Sequence, residues 1–122
     1  MSKDYIVYKV NPKLTKEKLS ELGFYPFGFN ENSDVYYING RLTKEAGMSL
    51  QIDLSSFTLM FGVTQPKLQK VWYYAREGST CLVRDSIKNG LSQIGAPEGL
   101  CVNTLGYLDY LVIKEVLIEY KI

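Results

Sequence analysis

The residues of greatest chemical potential in this 122-residue sequence are Lys67, Lys70, Trp72, Tyr74 and Arg76. Successive side chains of an extended strand alternate between faces. Lys70, Trp72, Tyr74 and Arg76 are therefore expected on one face of one strand, with Lys67 just ahead of them. Aromatic rings between cations suit two kinds of binding. They stack nucleobases while neutralising phosphates, and they supply the Trp, Tyr and Arg anchors that dominate protein interfaces. The plainer alternative packs Trp72 and Tyr74 beneath a helix or the N-terminal segment and leaves the cations at the rim.

Signals for catalysis are sparse. The chain has no His, which removes His-based triads, His metal ligands and the usual acid-base group near neutral pH. Cys81 and Cys101, without His, do not make a zinc site of ordinary type. Their expected state is reduced and buried, as small apolar residues. No phosphate loop of the Gly-x-x-x-x-Gly-Lys kind and no Gly-x-Ser-x-Gly elbow occurs. Carboxylates pair at Glu17 with Glu21 and at Glu115 with Glu119. The first pair has helical spacing beside Lys16 and Lys18 and reads as a solvated face; the second alternates along a strand and reads as its wet side. No catalytic residue, metal or cofactor is assigned, and a protein that is not an enzyme is the expectation.

The elements that must position these residues centre on 48–63. Met48, Leu50, Ile52 and Leu54 alternate with Ser49, Gln51 and Asp53. After Ser55-Ser56 the pattern resumes as Phe57, Leu59, Phe61 and Val63. Two alternating runs around a short polar turn predict a hairpin with one buried face. Each fully buried side chain on that face is worth roughly 1.5–3 kcal/mol before entropy is subtracted. A lone hairpin is marginal in water, so further strands or helices must cover it.

Upstream, residues 5–10 alternate as a strand. Leu14 to Phe24 carries helix punctuation, with Thr15 as N-cap, Leu14 placed to staple onto Leu19, and Gly23 as a left-handed stop with Phe24 folding back. The aromatic run Phe24-Tyr25-Pro26-Phe27-Gly28-Phe29 reads as a loop or edge strand whose rings go to the core. Residues 34–38 form a strand, with a hairpin signal at Asn39-Gly40. The segment from Val7 to Glu17 is echoed from Val35 to Glu45, where Val, Tyr, Asn, Leu, Thr, Lys and Glu recur at the same offset. A duplicated unit of strand and Thr-capped turn would explain it, as would chance reuse of a capping phrase, and a turn into one helical turn then rivals the hairpin at Asn39-Gly40.

Downstream, residues 68–75 form the strand that carries Trp72. A second helix is expected over 80–94, stopped by Gly95 and Pro97, and Gly90 within it implies close packing on a neighbour. The tail reads as a short helix near 104–111 and a strand at 115–121, with a single helix over 105–120 as the rival.

A hydrophobic fraction of 46% with 22% charged residues is ordinary for a globular chain. The expectation is one domain over 1–122 of α+β class, an antiparallel sheet of five or six strands with two or three short helices on one face. No apolar run is long enough to cross a membrane, and the first residues lack a signal peptide's apolar core, so a cytoplasmic protein is expected. The net charge of +1 is distributed as mild patches. Residues 64–95 are the basic one nearest the aromatic strand, with Lys67, Lys70, Arg76, Arg84 and Lys88 against Glu77 and Asp85.

Together these features point to a protein-binding module with a larger protein partner, as monomer or homodimer, with strand edges at 5–10 or the tail available for pairing. Nucleic-acid or nucleotide binding through the basic aromatic strand is the alternative. A short Lys-, Asn- and Tyr-rich domain without catalytic signatures has the style of small phage or mobile-element proteins, where an inhibitor or accessory role is the expectation.

Overall fold

The computed structural model describes residues 5–65 and 69–121. The chain runs β1 (Ile6–Val10), α1 (Lys16–Glu21), β2 (Tyr25–Pro26), a short 3-10 turn (Phe27–Phe29), β3 (Val35–Arg41), β4 (Gly47–Asp53), β5 (Thr58–Gln65), β6 (Lys70–Ser79), β7 (Leu82–Val83), α2 (Arg84–Gln93), α3 (Glu98–Ile113) and β8 (Leu117–Lys121). The fold is α+β, with 31% of the described residues helical and 40% in strands. Its strands divide between two antiparallel sheets rather than forming one. A five-stranded sheet has the order β2-β3-β4-β5-β6, and a three-stranded sheet has the order β7-β1-β8.

The central hairpin forms as its alternation demands. Met48, Leu50 and Ile52 of β4 and Leu59, Phe61 and Val63 of β5 are all buried, paired Met48 with Val63, Leu50 with Phe61 and Ile52 with Leu59. The ends of the pattern depart from it. Leu54 is half-buried and Phe57 is exposed with φ of 54°, because the turn claims both. Asp53 closes that turn by accepting from the Ser55 amide at 2.9 Å and the Ser55 hydroxyl at 2.6 Å.

Helix α1 follows its local code. The Thr15 side chain accepts from the Lys18 amide at 3.2 Å, Gly23 takes φ of 91°, and the Phe24 amide returns to the Leu19 carbonyl at 3.0 Å. Leu14, Leu19 and Phe24 are buried together in the core.

Asn39 and Gly40 are not a turn. Both lie inside β3, opposite Ser49 and Met48. The chain reverses at 42–46, where Leu42 and Thr43 amides both reach the Ala46 carbonyl, at 2.9 and 3.0 Å. Thr43 completes this turn with its hydroxyl, which accepts from the Glu45 and Ala46 amides. The echo thus has a local physical content. Thr15 and Thr43 each accept from the amide three residues on, but one opens a helix and the other a hairpin turn.

The second helix starts later than its apolar pattern suggests, at Arg84. Leu82 and Val83 are instead drawn into β7, opposite Tyr8 and Val7. Gly95 ends it with φ of 71°. Helix α3 begins at Glu98, ahead of the expected start near 104, and buries Leu100, Thr104, Leu108 and Leu111 on one face. Glu115, at φ of 63°, stops the helix and excludes a continuous one over 105–120. The Val116 amide then closes on the Leu111 carbonyl at 2.9 Å, and β8 starts at Leu117.

Strand β1 lies between β8 and the two-residue β7, which pairs with its Val7 and Tyr8, so the N-terminal strand is not a sheet edge; β7 and β8 edge the smaller sheet, and β2 and β6 the larger. The inner faces of both sheets and the three helices meet in one core cluster, which joins Tyr8, Val10 and Leu117 to Leu50, Phe61, Ile87, Leu91 and Leu108. No helix among the described residues is long and apolar enough to cross a membrane.

Candidate functional site: the open face of the five-stranded sheet

Strand β6 holds the residues singled out from the sequence, and a bulge rearranges them. Val63 pairs with Trp72, Gly62 with Tyr73, and Phe61 with Ala75. Tyr74 is the extra residue of this step, which changes the facing of the residues next to it, and a second irregularity lies between the Phe61–Ala75 and Leu59–Ser79 pairs. Lys70 and Trp72 keep the register parity of Val63, on the inner side. Tyr74 also turns inward, its ring centroid 6.4 Å from that of Phe61 and its edge over Gly90 of α2. Arg76 moves to the outer side, with its guanidinium 5.4 Å from the centroid of the Tyr73 ring. The expected single face of Lys70, Trp72, Tyr74 and Arg76 is therefore split, and Lys67 lies outside the described residues. Trp72 and Tyr74 are half-buried, whereas Lys70 and Arg76 are exposed.

Gly90 packs as closely as its position implies. A Cβ there would meet Cε1 of Tyr74 at 2.5 Å. The Tyr74 hydroxyl is buried and has no hydrogen-bond partner among the described residues, and burial raises its pKa.

On the other side of the sheet, Tyr37, Asn39, Ser49, Gln51, Met60 and Thr64 share the outer parity. The residues of β4 and β5 among them are half-exposed rather than buried, as for a sheet face that water reaches. Val71 and Tyr73, both more than 40% exposed, lie across Gly62, whose added Cβ would meet each of them at 3.3 Å.

The opposite corner of this face carries the largest apolar exposure. Of the run from Phe24 to Phe29 only Phe24 enters the core. Tyr25, Phe27 and Phe29 are 52%, 61% and 74% exposed, so this cluster is surface, contrary to the core reading. Tyr25 of β2 lies opposite Tyr37, on the outward parity of the sheet, and two consecutive left-handed residues follow it. Gly28 has φ of 66° and Phe29 φ of 56°, a conformation that swings the chain outward and is costly for an aromatic residue. The Tyr25 ring meets Phe29 edge-on at 6.3 Å and Tyr37 at 6.0 Å. A shallow groove lined by Phe27, Gly28, Tyr37, Asn39, Ser49 and Gln51 runs from this corner onto the sheet.

A polar cluster that sequence spacing does not reveal joins three distant elements. Arg84 at the start of α2 donates to Asp109 of α3 at 2.6 Å and to the Tyr8 hydroxyl, and that hydroxyl donates to Asp109 at 3.1 Å. Burial is the main influence raising the Tyr8 pKa, against the pull of Arg84. The arrangement locks β1, α2 and α3 together. Its partners stand 25 to 101 residues apart, and none sits in a local motif. Among the described residues no three Cys, Asp or Glu side chains gather as metal ligands.

No family model, no curated protein and no solved structure matches the chain.

Proposed function

We propose that this protein is a non-enzymatic protein-binding module that engages a larger partner through the outer face of its five-stranded sheet. The observation that carries this reading is the corner of Tyr25, Phe27 and Phe29, held more than half exposed beside a groove. Three aromatic rings stand in water here, Phe29 on a strained left-handed residue, and exposed aromatic patches rimmed by polar residues mark interaction surfaces. The rest of the face, with Tyr37, Tyr73, Asn39, Ser49, Gln51 and Thr64, has the tyrosine and small-polar chemistry of adaptable protein-recognition surfaces. Role as an inhibitor or accessory protein fits a module that acts by covering a partner's surface.

Charge favours protein over nucleic acid. Among the described residues, Arg41 by its register and Arg76 by its contact with Tyr73 are the cations of this face, and Asp53 stands at its edge. Tight nucleic-acid binding draws on many phosphate neutralisations, which two cations do not supply.

The test is capture of partners from lysate of the native cell by the wild-type protein and by the Phe27→Ser/Phe29→Ser variant, with and without nuclease. Both rings are exposed, so the fold survives their replacement. The expected result is a stoichiometric protein that survives nuclease and binds the variant about thirtyfold more weakly or worse, the loss of a hot spot. Equal capture by both proteins places recognition elsewhere. Capture abolished by nuclease, with affinity falling steeply in salt, transfers the function to nucleic acid.

A further inference from the structure

Strand β3 is covered on one side for only part of its length. Strand β2 lends it two residues, Tyr25 opposite Tyr37 and Pro26 opposite Tyr36. Ahead of Tyr25 the chain leaves that line, because Phe24 enters the core and Gly23 takes φ of 91°. Asn39, Gly40 and Arg41 still pair with β4 on the other side, yet all three are exposed. The hydrogen bonds at the two ends of β3 fix which backbone groups are left over. The Leu54 amide donates to the Asp34 carbonyl at 2.8 Å, and the Leu42 amide to the Ala46 carbonyl at 2.9 Å. Residues of an antiparallel strand turn their N–H and C=O alternately to one neighbour and the other, so the even-numbered residues of β3 face β4 and the odd-numbered ones face the line of β2. Tyr37 meets Tyr25 there. The N–H and C=O of Asn39 and of Arg41 point along the same side and meet no strand among the described residues.

This notch asks for an extended backbone, since only another strand satisfies two such residues at their spacing. Gly40 stands between them, and a glycine inside a strand often marks a place where another backbone comes close. The end of the notch is basic. Its lining includes Arg41 and Lys44 against the one acid Glu45, and neither cation makes an ion pair among the described residues. We propose that the notch takes an extended segment of the protein partner, added antiparallel to β3 in line with β2, with an acidic side chain opposite Arg41. This rests on the reading of the protein as a protein-binding module and names the form in which the partner arrives. Directly opposed residues share a face. The acid therefore lies beside Arg41 on the outer face. The residue two places later, opposite Asn39, lies on the same face in line with Tyr25, where an apolar side chain suits the exposed ring. A second copy of this chain fits less well, because β3 against β3 brings the two Arg41 side chains onto one face with no acid between them.

The experiment selects binders to the full chain from a library of random twelve-residue peptides, and measures the affinity of a selected peptide for the wild type, Asn39→Pro and Arg41→Glu. Proline removes the outward amide of residue 39 and obstructs the notch, and it is tolerated where no ladder hydrogen bond is lost; the urea midpoint checks that the variant is folded. The selection is expected to enrich an acidic residue two places ahead of an apolar one. Binding is expected to weaken about tenfold or more in Asn39→Pro, and to slow exchange of the Asn39 and Arg41 amides in the wild type. Arg41→Glu is expected to weaken it similarly, with recovery when Lys replaces the peptide's acid, a readout that stands even if the proline variant does not fold. A library that yields no binder overturns the proposal. So does a peptide indifferent to Asn39→Pro, or one for which the charge exchange brings no recovery. A lysate partner that requires Phe27 and Phe29 but ignores Asn39→Pro and Arg41→Glu also overturns it, while leaving the protein-binding reading in place.

Discussion

At the scale of single residues, Tyr74 shows how one position sets the terms for its neighbours. Its ring fills the space over Gly90 so closely that a methyl group there would lie 2.5 Å from Cε1. Gly90→Ala therefore pits a helix-propensity gain of about 1 kcal/mol against an overpacking cost of about 1–3 kcal/mol. Net destabilisation is expected in urea unfolding. In a Tyr74→Leu background the obstacle is gone and the same substitution stabilises by about 1 kcal/mol; stabilisation in both backgrounds would rule out the contact. Tyr107 makes a second prediction. Burial, with Tyr110 beside it, pushes its pKa up to about 12, and burial is the main cause raising Tyr8 and Tyr74 as well. The folded state thus prefers these phenols neutral. The contribution of Tyr107 is complete below the ordinary tyrosine value of 10.0 and is lost as pH rises from there through about 12. Tyrosinate absorbance should show a late-titrating group that Tyr107→Phe removes, together with part of the stability loss over that window.

At the scale of elements, what was legible in the sequence is what local chemistry decides. Thr15 can only cap, and Gly23 can only stop, so α1 reads directly. Thr15→Ala is expected to cost about 1 kcal/mol and to speed exchange of the Lys18 amide, its partner at 3.2 Å; unchanged exchange there would refute the cap. The β4–β5 hairpin reads equally well, because six inward residues share one period. Strand β6 does not. Period-two reasoning assumes no inserted residue, and the bulge at Tyr74 sends Arg76 to the far face from Trp72. Nothing in the local pattern marks that insertion, since it answers to the packing of Tyr74 beneath α2. The start of α2 was lost to pairing of Leu82 with Tyr8, a contact made across most of the chain. The start of α3 was hidden by apolar residues on its outward side, Val102 and Ile113, which erase the amphipathic period. The outward aromatics were misread for a related reason. Composition says that rings prefer the core, whereas pairing opposite Tyr37 sets Tyr25 on the outward face and the left-handed backbone at Gly28 and Phe29 follows it.

At the scale of the whole molecule, the two sheets are separate in their hydrogen bonding but not in their burial. Val10 and Leu117 of the three-stranded sheet lie in the same core cluster as Leu50 and Phe61 of the five-stranded one and Leu91 and Leu108 of the helices. The Tyr8–Arg84–Asp109 cluster ties the first sheet to both long helices. The chain also returns on itself, because β8 adds to β1 with Val10 opposite Leu117, so the smaller sheet is complete only when these two strands, far apart in sequence, have met. Neither sheet therefore has an apolar face that it can bury alone, and unfolding should be a single cooperative event. Trp72 reports on the five-stranded sheet as the only Trp, while far-UV circular dichroism reports largely on the helices. The two signals are expected to share one urea midpoint. Replacing Leu117, 1% exposed, with Ala should lower both midpoints together, by the 2–5 kcal/mol typical of a buried Leu truncation. A Trp72 midpoint that stays in place while the helical one moves would mean that the five-stranded sheet stands as a domain of its own.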